Sequence, residues 1–98
     1  MADDEFEDKI IGSAVPQEHL IFTDLDGTEG VLVDLNTRKY YQLNETATLV
    51  WRGLEDRKPL ENIAQEMREQ YEVSTERAAS SIQRLLRSFS AYQLVRLS

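Results

Sequence analysis

The spacing of apolar residues between positions 30 and 54 predicts two strands, a tight reversal and a helix that begins without a linker. Alternate positions of the segment Val31–Leu35 are apolar, and the segment Tyr40–Leu43 is rich in aromatic residues, as expected for two short strands. The turn-forming residues 36–38, Asn-Thr-Arg, separate the two segments. The region therefore predicts a β-hairpin.

A helical period follows the hairpin directly. Asn44 has a side chain suited to capping a helix N-terminus. The apolar residues after it fall at i, i+3, i+4 and i+7, which predicts an amphipathic helix. They are Ala47, Val50, Trp51 and Leu54. Trp51 is the only tryptophan in the chain, and we expect it to anchor the core.

The N-terminal residues predict a tail and one further strand. Residues 1–18 combine high charge with scattered apolar residues and Pro16, which indicates a flexible or loosely docked acidic tail. From His19 to Leu25 apolar and polar positions alternate, and Asp26-Gly27 ends the pattern. We expect one domain over residues 19–98, since so short a chain has room for a single modest core.

Two more helices are predicted in the C-terminal half. Pro59 marks the beginning of the second helix, because proline fits the first helical turn. Apolar residues then recur at helical spacing from Leu60 to Tyr71. Ser74 offers an N-cap for a third and longer helix.

The third helix has one apolar stripe, about 100° wide. The stripe consists of Ala78, Ile82, Leu85, Leu86 and Phe89. One border of it carries Ser81, Ser88 and Tyr92, and beyond that border lie Arg77, Arg84 and Arg87. The apolar residues after this helix predict either a last strand or a helix end.

Together these elements predict an α+β fold in which a three-stranded antiparallel sheet is followed by three helices. If the strands pair in sequence order, the strand Lys39–Leu43 lies at an edge of the sheet. An exposed edge is either protected or used for binding, and Lys39 alone is weak protection. This edge is where the sequence first points to a binding function.

Composition removes most kinds of catalytic chemistry. The chain has no cysteine, so disulfides, thiolate catalysis and cysteine-based metal sites are excluded, and its single histidine, His19, has no nucleophile beside it. The stretch Asp24-Leu25-Asp26-Gly27 is too short for a calcium loop and is better explained as a turn. We therefore expect neither an enzyme nor a bound cofactor or metal.

Charge and hydropathy indicate an acidic cytoplasmic protein. The net charge is −7, and no apolar run approaches the roughly 20 residues that span a bilayer. The acidic N-terminus differs from a signal peptide, so we expect no membrane contact. Arg77, Arg84 and Arg87 leave open a winged-helix DNA-binding function, which the acidic remainder opposes. A homodimer formed through the exposed edge is a further alternative.

The residues from Leu20 to Val95 resemble the PqqD-like family. The most specific part is the run D-L-x-T-x-x-Y-Y-x-L-N from Asp34 to Asn44, followed by Trp51. The resemblance implies a winged helix-turn-helix-like domain without catalytic activity. Such domains capture the leader of a ribosomally made precursor peptide as an added strand and present it to a modifying enzyme, often a radical SAM protein.

Carried over to this chain, the resemblance implies a site formed by the third strand and the third helix. The strand residues are Lys39, Tyr40, Tyr41, Gln42 and Leu43, and the helix residues are Ser81, Arg84, Leu85, Ser88 and Tyr92. Tyr41 and Leu43 share one face of the strand, and Tyr40 and Gln42 share the other. Which pair faces the helix is left open, as is the pathway, pyrroloquinoline quinone synthesis or another peptide product.

Two positions carry further expectations. Family members often have glycine where this chain has Arg38, and a positive φ at an arginine would store on the order of 1 kcal/mol of strain or more, which leaves open a turn of another type. Arg84 is expected to suit a leader with an acidic residue beside its apolar anchors.

Overall fold

A computed structural model of the chain describes residues 14–97. Strands β2, β3 and β4 form one antiparallel sheet in that order, and β1 pairs with β5 in a second, two-stranded sheet. The predicted α+β fold, a three-stranded sheet followed by three helices, is confirmed. The elements in chain order are β1 (Ala14–Pro16), β2 (Leu20–Asp24), β3 (Gly30–Asp34), β4 (Tyr40–Leu43), α1 (Glu45–Glu55), α2 (Leu60–Tyr71), α3 (Thr75–Ala91) and β5 (Val95–Leu97).

The three helices pack against one another and, together with one face of the β2-β3-β4 sheet, enclose the core. Trp51 of α1 and Phe89 of α3 meet edge to face, with ring centroids 5.3 Å apart. Leu32 of the central strand β3 is fully buried beneath them. Trp51 is fully buried as well, which confirms the predicted core anchor.

Side-chain caps fix where two of the helices begin. The Asn44 side chain accepts a hydrogen bond from the amide of Ala47 at 2.9 Å, and Ser74 accepts one from the amide of Arg77 at 3.1 Å. Both residues occupy the predicted N-cap positions of α1 and α3. Pro59 directly precedes α2, again as predicted.

The turn between β3 and β4 is organised by Asp34. Its carboxylate accepts hydrogen bonds from the amides of Asn36 at 2.8 Å and Thr37 at 3.1 Å, and the imidazole of His19 lies 3.6 Å away. Arg38 closes the turn with φ of 63°, the left-handed conformation that favours glycine, and so the turn is not of another type. The turn therefore holds a non-glycine residue in a strained backbone conformation.

Part of the predicted tail lies in the second sheet. Ala14 is buried, and β1 pairs with β5 in the register Ala14 with Leu97. The Gln17 amide also donates to the Leu94 carbonyl at 3.0 Å. Residues 14–16 of the segment 1–18 are thus joined to the C-terminal strand, and residues 1–13 lie outside the described residues.

Gly30 allows the central strand to approach the aromatic ring of Phe22. A Cβ atom built at this position would lie 2.2 Å from the Phe22 ring, far inside van der Waals contact. Gly30 pairs with Leu43 across the β3–β4 ladder. A larger residue would therefore disturb the sheet beside the edge strand.

Candidate functional site

A groove of about 580 Å³ lies between strand β4 and helix α3 and is also lined by the beginning of α1. We call it the edge groove. It is lined by Glu29, Tyr40, Tyr41, Gln42, Leu43, Asn44, Ala47, Leu85, Ser88, Phe89, Tyr92 and Leu94. Most of these side chains are apolar or aromatic, so the groove suits an extended chain with apolar side chains.

The backbone of β4 is paired on one side only. The Asp34 amide donates to the Lys39 carbonyl at 2.9 Å, which marks these two residues as a hydrogen-bonded pair of the β3–β4 ladder. Because such pairs alternate in an antiparallel ladder, Tyr41 and Leu43 direct their backbone groups toward Leu32 and Gly30. The amide and carbonyl groups of Tyr40 and Gln42 point to the other side, where no strand of residues 14–97 pairs with them.

The side chains of β4 alternate in the same way. Leu43 is buried and Tyr41 half-buried, and both belong to the face that meets the helices. Tyr40 is 74% exposed, and Gln42 is exposed as well. Of the two pairs that the sequence left open, Tyr41 and Leu43 are therefore the pair that faces the helices.

An aromatic contact joins the strand to the helix. The rings of Tyr41 and Tyr92 have centroids 5.4 Å apart and are tilted by 55°. Tyr92 follows the last residue of α3 and is 61% exposed, so most of its ring remains available at the mouth of the groove. A peptide lying along β4 would meet this ring.

The structure brings most of the predicted site residues together. Seven of the ten line the edge groove: Tyr40, Tyr41, Gln42, Leu43, Leu85, Ser88 and Tyr92. Lys39, Ser81 and Arg84 do not. Lys39 and Arg84 are exposed and Ser81 is half-buried, and their part in peptide binding remains a prediction.

Several residues that line the groove are not among the predicted site residues. The sequence pattern assigns Phe89 to the core, and Phe89 does contact Trp51 while also reaching the groove. Asn44 and Ala47 are predicted only as parts of the first helix. Leu94 is predicted only as part of a last strand or a helix end, and Glu29 carries no signal in the sequence, since it reaches the groove through strand pairing that the sequence does not specify.

Other cavities among the described residues include two that border α1. One, of about 620 Å³, lies between β1, the end of α1 and the beginning of α2, and the other, of about 520 Å³, lies between α1 and α2. The first is lined by β1, a three-residue edge strand that contains Pro16, and no strand lines the second. Within residues 14–97, no three histidine, aspartate or glutamate side chains are grouped as metal ligands, and none of the helices is long and apolar enough to cross a membrane.

Solved structures with the same fold include two peptide complexes. One, described as lasso peptide synthetase B1 complexed with the leader peptide, is 26% identical in sequence and has a TM-score of 0.77. The alignment covers 86% of this chain and 98% of that chain. Another, described as TbiB1 in complex with the TbiA(beta) leader peptide, is 23% identical, has a TM-score of 0.78, and is aligned over 84% of this chain and 94% of that chain.

Sequence comparison gives a family assignment. No curated protein matches the chain significantly. The sequence model of the family described as coenzyme PQQ synthesis protein D (PqqD) matches residues 29–95, which include the hairpin, all three helices and every residue that lines the edge groove. This chain therefore belongs to the PqqD family.

Proposed function

We propose that this protein binds the leader segment of a ribosomally made precursor peptide and presents it to a modifying enzyme. The observation that carries the proposal is the unpaired edge of β4, which faces an apolar groove. The family and the two solved structures with bound leader peptides support it.

Strand addition explains how one groove would bind a disordered peptide. The free amide and carbonyl groups of Tyr40 and Gln42 would pair with the peptide backbone, which gives affinity with little demand on sequence. Alternate side chains of the added strand would then enter the groove that Tyr41, Leu85 and Tyr92 line. Those contacts would supply the specificity.

The role that we propose is non-catalytic. Apart from tyrosines, the only ionisable side chain that lines the edge groove is Glu29, so the groove lacks the pair of carboxylates or the carboxylate and histidine that proton transfer commonly uses. Chemistry on the peptide would belong to a partner, and we propose a radical SAM protein or another peptide-modifying enzyme. We place the interaction in the cytoplasm, where a ribosomal precursor is made.

Two alternatives concern the same surfaces. Nothing in the comparisons supports DNA binding through α3, and the net charge of −7 opposes it. A homodimer that pairs two β4 edges would occupy the peptide site. Sedimentation with and without peptide distinguishes this dimer from a monomer whose edge is free.

An NMR titration tests the proposal. The isotope-labelled chain is titrated with the leader of a precursor peptide that is encoded beside its gene. We expect amide shift changes in β4 and along α3 from Leu85 to Tyr92, with α2 unaffected. Shift changes centred on α2, or none at peptide concentrations well above micromolar, would contradict leader binding at the edge groove.

A further inference from the structure

We propose that the edge groove selects peptides that carry a lysine or arginine beside their apolar anchors, at the end of the groove where Glu29 lies. This inference rests on the proposed function, and it names a feature of the peptide that the groove recognises. It arises from the single charged residue among the twelve that line the groove.

Glu29 is held at one end of the edge strand. It directly precedes Gly30, which pairs with Leu43, the last residue of β4. Its backbone is fixed on both sides, since its amide donates to the Asp26 carboxylate at 2.9 Å and its carbonyl accepts from the Leu25 amide at 2.9 Å. The position of this residue therefore depends on the β2–β3 turn and not on its own side chain.

The Glu29 carboxylate has no partner within the described part of the chain. No hydrogen bond or ion pair joins it to another side chain of residues 14–97, although the residue is half-buried. Asp24, in the same turn region, is by contrast paired with Arg52 at 3.0 Å. The carboxylate of Glu29 is thus available to a ligand.

A bound peptide changes the environment of this carboxylate. A strand laid along β4 removes water from the groove, and burying a charge is costly unless it is paired and hydrogen-bonded. A peptide ammonium or guanidinium group would satisfy the carboxylate through a charge-assisted hydrogen bond. A peptide with only apolar side chains at this point would leave the charge buried and unpaired, so the groove discriminates between the two.

Selection from a random peptide library tests this inference and does not require the natural leader. A display library of random 12-residue peptides is selected against the full chain and, in parallel, against Glu29→Gln. The substitution keeps the size of the side chain and leaves the backbone hydrogen bonds of residue 29 in place. We expect peptides enriched on the unaltered chain to carry lysine or arginine at a fixed distance from their apolar residues, and those enriched on Glu29→Gln to lack this preference.

Affinities measured on one selected peptide make the test quantitative. Replacing its basic residue with alanine should weaken binding to the unaltered chain about tenfold and binding to Glu29→Gln less than about twofold. Glu45→Gln is the matched control, because it removes the same charge two residues beyond Leu43 while Glu45 lies outside the edge groove. If Glu45→Gln reduced the contribution of the basic residue to affinity as much as Glu29→Gln does, that contribution would come from the long-range field of the protein. This result would overturn a specific contact with Glu29.

The outcomes separate this inference from the function on which it rests. Selected peptides that bind at β4 without a preferred basic position would overturn the role of Glu29 and leave leader binding intact. If the peptides selected on Glu29→Gln still preferred lysine or arginine at that position, the role of Glu29 would likewise be overturned and leader binding left intact. Failure to select any peptide that shifts the β4 resonances would overturn both.

Discussion

The ring of Tyr41 on the edge strand lies 5.4 Å from the ring of Tyr92 at the end of α3, and this contact spans the mouth of the edge groove. Tyr92 is otherwise largely exposed, so its ring contributes more to the groove surface than to the core. The pair therefore links the two elements that would hold a peptide.

Replacing Tyr92 with alanine should affect binding more than folding. We expect leader affinity to fall about tenfold, because a large apolar face is lost, and the free energy of unfolding to fall by less than about 1 kcal/mol. Calorimetric titration and chemical denaturation measure the two quantities. Tyr92→Phe keeps the ring and serves as the control, and unchanged affinity in Tyr92→Ala would contradict a role for Tyr92 in the groove.

Proline substitutions distinguish the two sides of the β4 backbone. Gln42→Pro removes an amide that points to the free edge, so the sheet should remain intact while peptide affinity falls about fivefold through one lost hydrogen bond. Tyr41→Pro removes an amide that pairs with β3 and should destabilise the fold itself.

Gln42→Ala completes this set, since it removes the side chain and keeps the amide. Circular dichroism reports folding, and fluorescence anisotropy with a labelled peptide reports affinity. Equal affinities of Gln42→Pro and Gln42→Ala would argue against hydrogen bonding along this edge.

Arg38→Gly should stabilise the β3–β4 turn. Arg38 has φ of 63°, which glycine adopts without strain, although glycine also loses more entropy on folding. We expect a net gain of up to about 1 kcal/mol in the free energy of unfolding. Urea denaturation measures it, and Lys39→Gly, in the extended residue that follows, should instead be neutral or destabilising.

Asp34 should make the hairpin sensitive to acid. Burial acts to raise the pKa of its carboxyl, but the amides of Thr37 and Asn36 and the nearby His19 outweigh burial and hold this pKa below the ordinary value of 3.8. A lowered pKa in the folded state stabilises the fold fully above pH 3.8, and this stabilisation is lost as pH falls from 3.8 through the folded-state pKa.

Denaturation of Asp34→Asn across this acid range checks the expectation. The variant should lose less stability between pH 5 and pH 2 than the unaltered chain, because it has no carboxyl to protonate at this turn. Its unfolding at acid pH should therefore take up about one proton fewer. Some acid sensitivity should remain, since hydrogen bonds from Glu29 and Thr28 also lower the pKa of Asp26. Glu61→Gln, exposed on α2, is the control, and a pH dependence of Asp34→Asn equal to that of the unaltered chain would contradict this role.

Arg84 offers a separate test of charge recognition. It is exposed on α3 and is not among the residues that line the groove, so we expect it to meet a peptide side chain that extends beyond the groove. If the leader has an acidic residue there, Arg84→Ala should weaken binding about threefold, as expected for an exposed ion pair. Arg77→Ala, near the beginning of α3, is the matched control.

Local signals in the sequence are sufficient to predict the helices of the fold. Asn44 and Ser74 cap the helices that their positions predict, because capping depends on residues only three apart. The period of the apolar residues likewise identifies the helix that contains Trp51. Such features are determined within one or two helical turns.

The features of the fold and of the edge groove that the sequence did not predict depend on contacts between segments that are distant in the sequence. Ala14 pairs with Leu97 of β5, more than 80 residues away in the sequence, and no local pattern encodes such a pairing. The predicted tail therefore includes residues 14–16, which form a strand in the structure. Glu29 reaches the edge groove only because Gly30 pairs with Leu43. Ser81 and Arg84 are predicted site residues because they lie on the same side of α3 as Ser88 and Tyr92. Helical spacing gives that side, but it does not give how far the groove extends along the helix, and neither residue lines the groove.

Amide hydrogen exchange of β4, measured with and without the leader peptide, tests strand addition most directly. In the free protein, the amides of Tyr41 and Leu43 should exchange slowly and those of Tyr40 and Gln42 quickly, because only the first pair bonds to β3. Added peptide should protect Tyr40 and Gln42. Peptide binding that leaves these two amides in fast exchange would contradict pairing of the leader with the β4 edge.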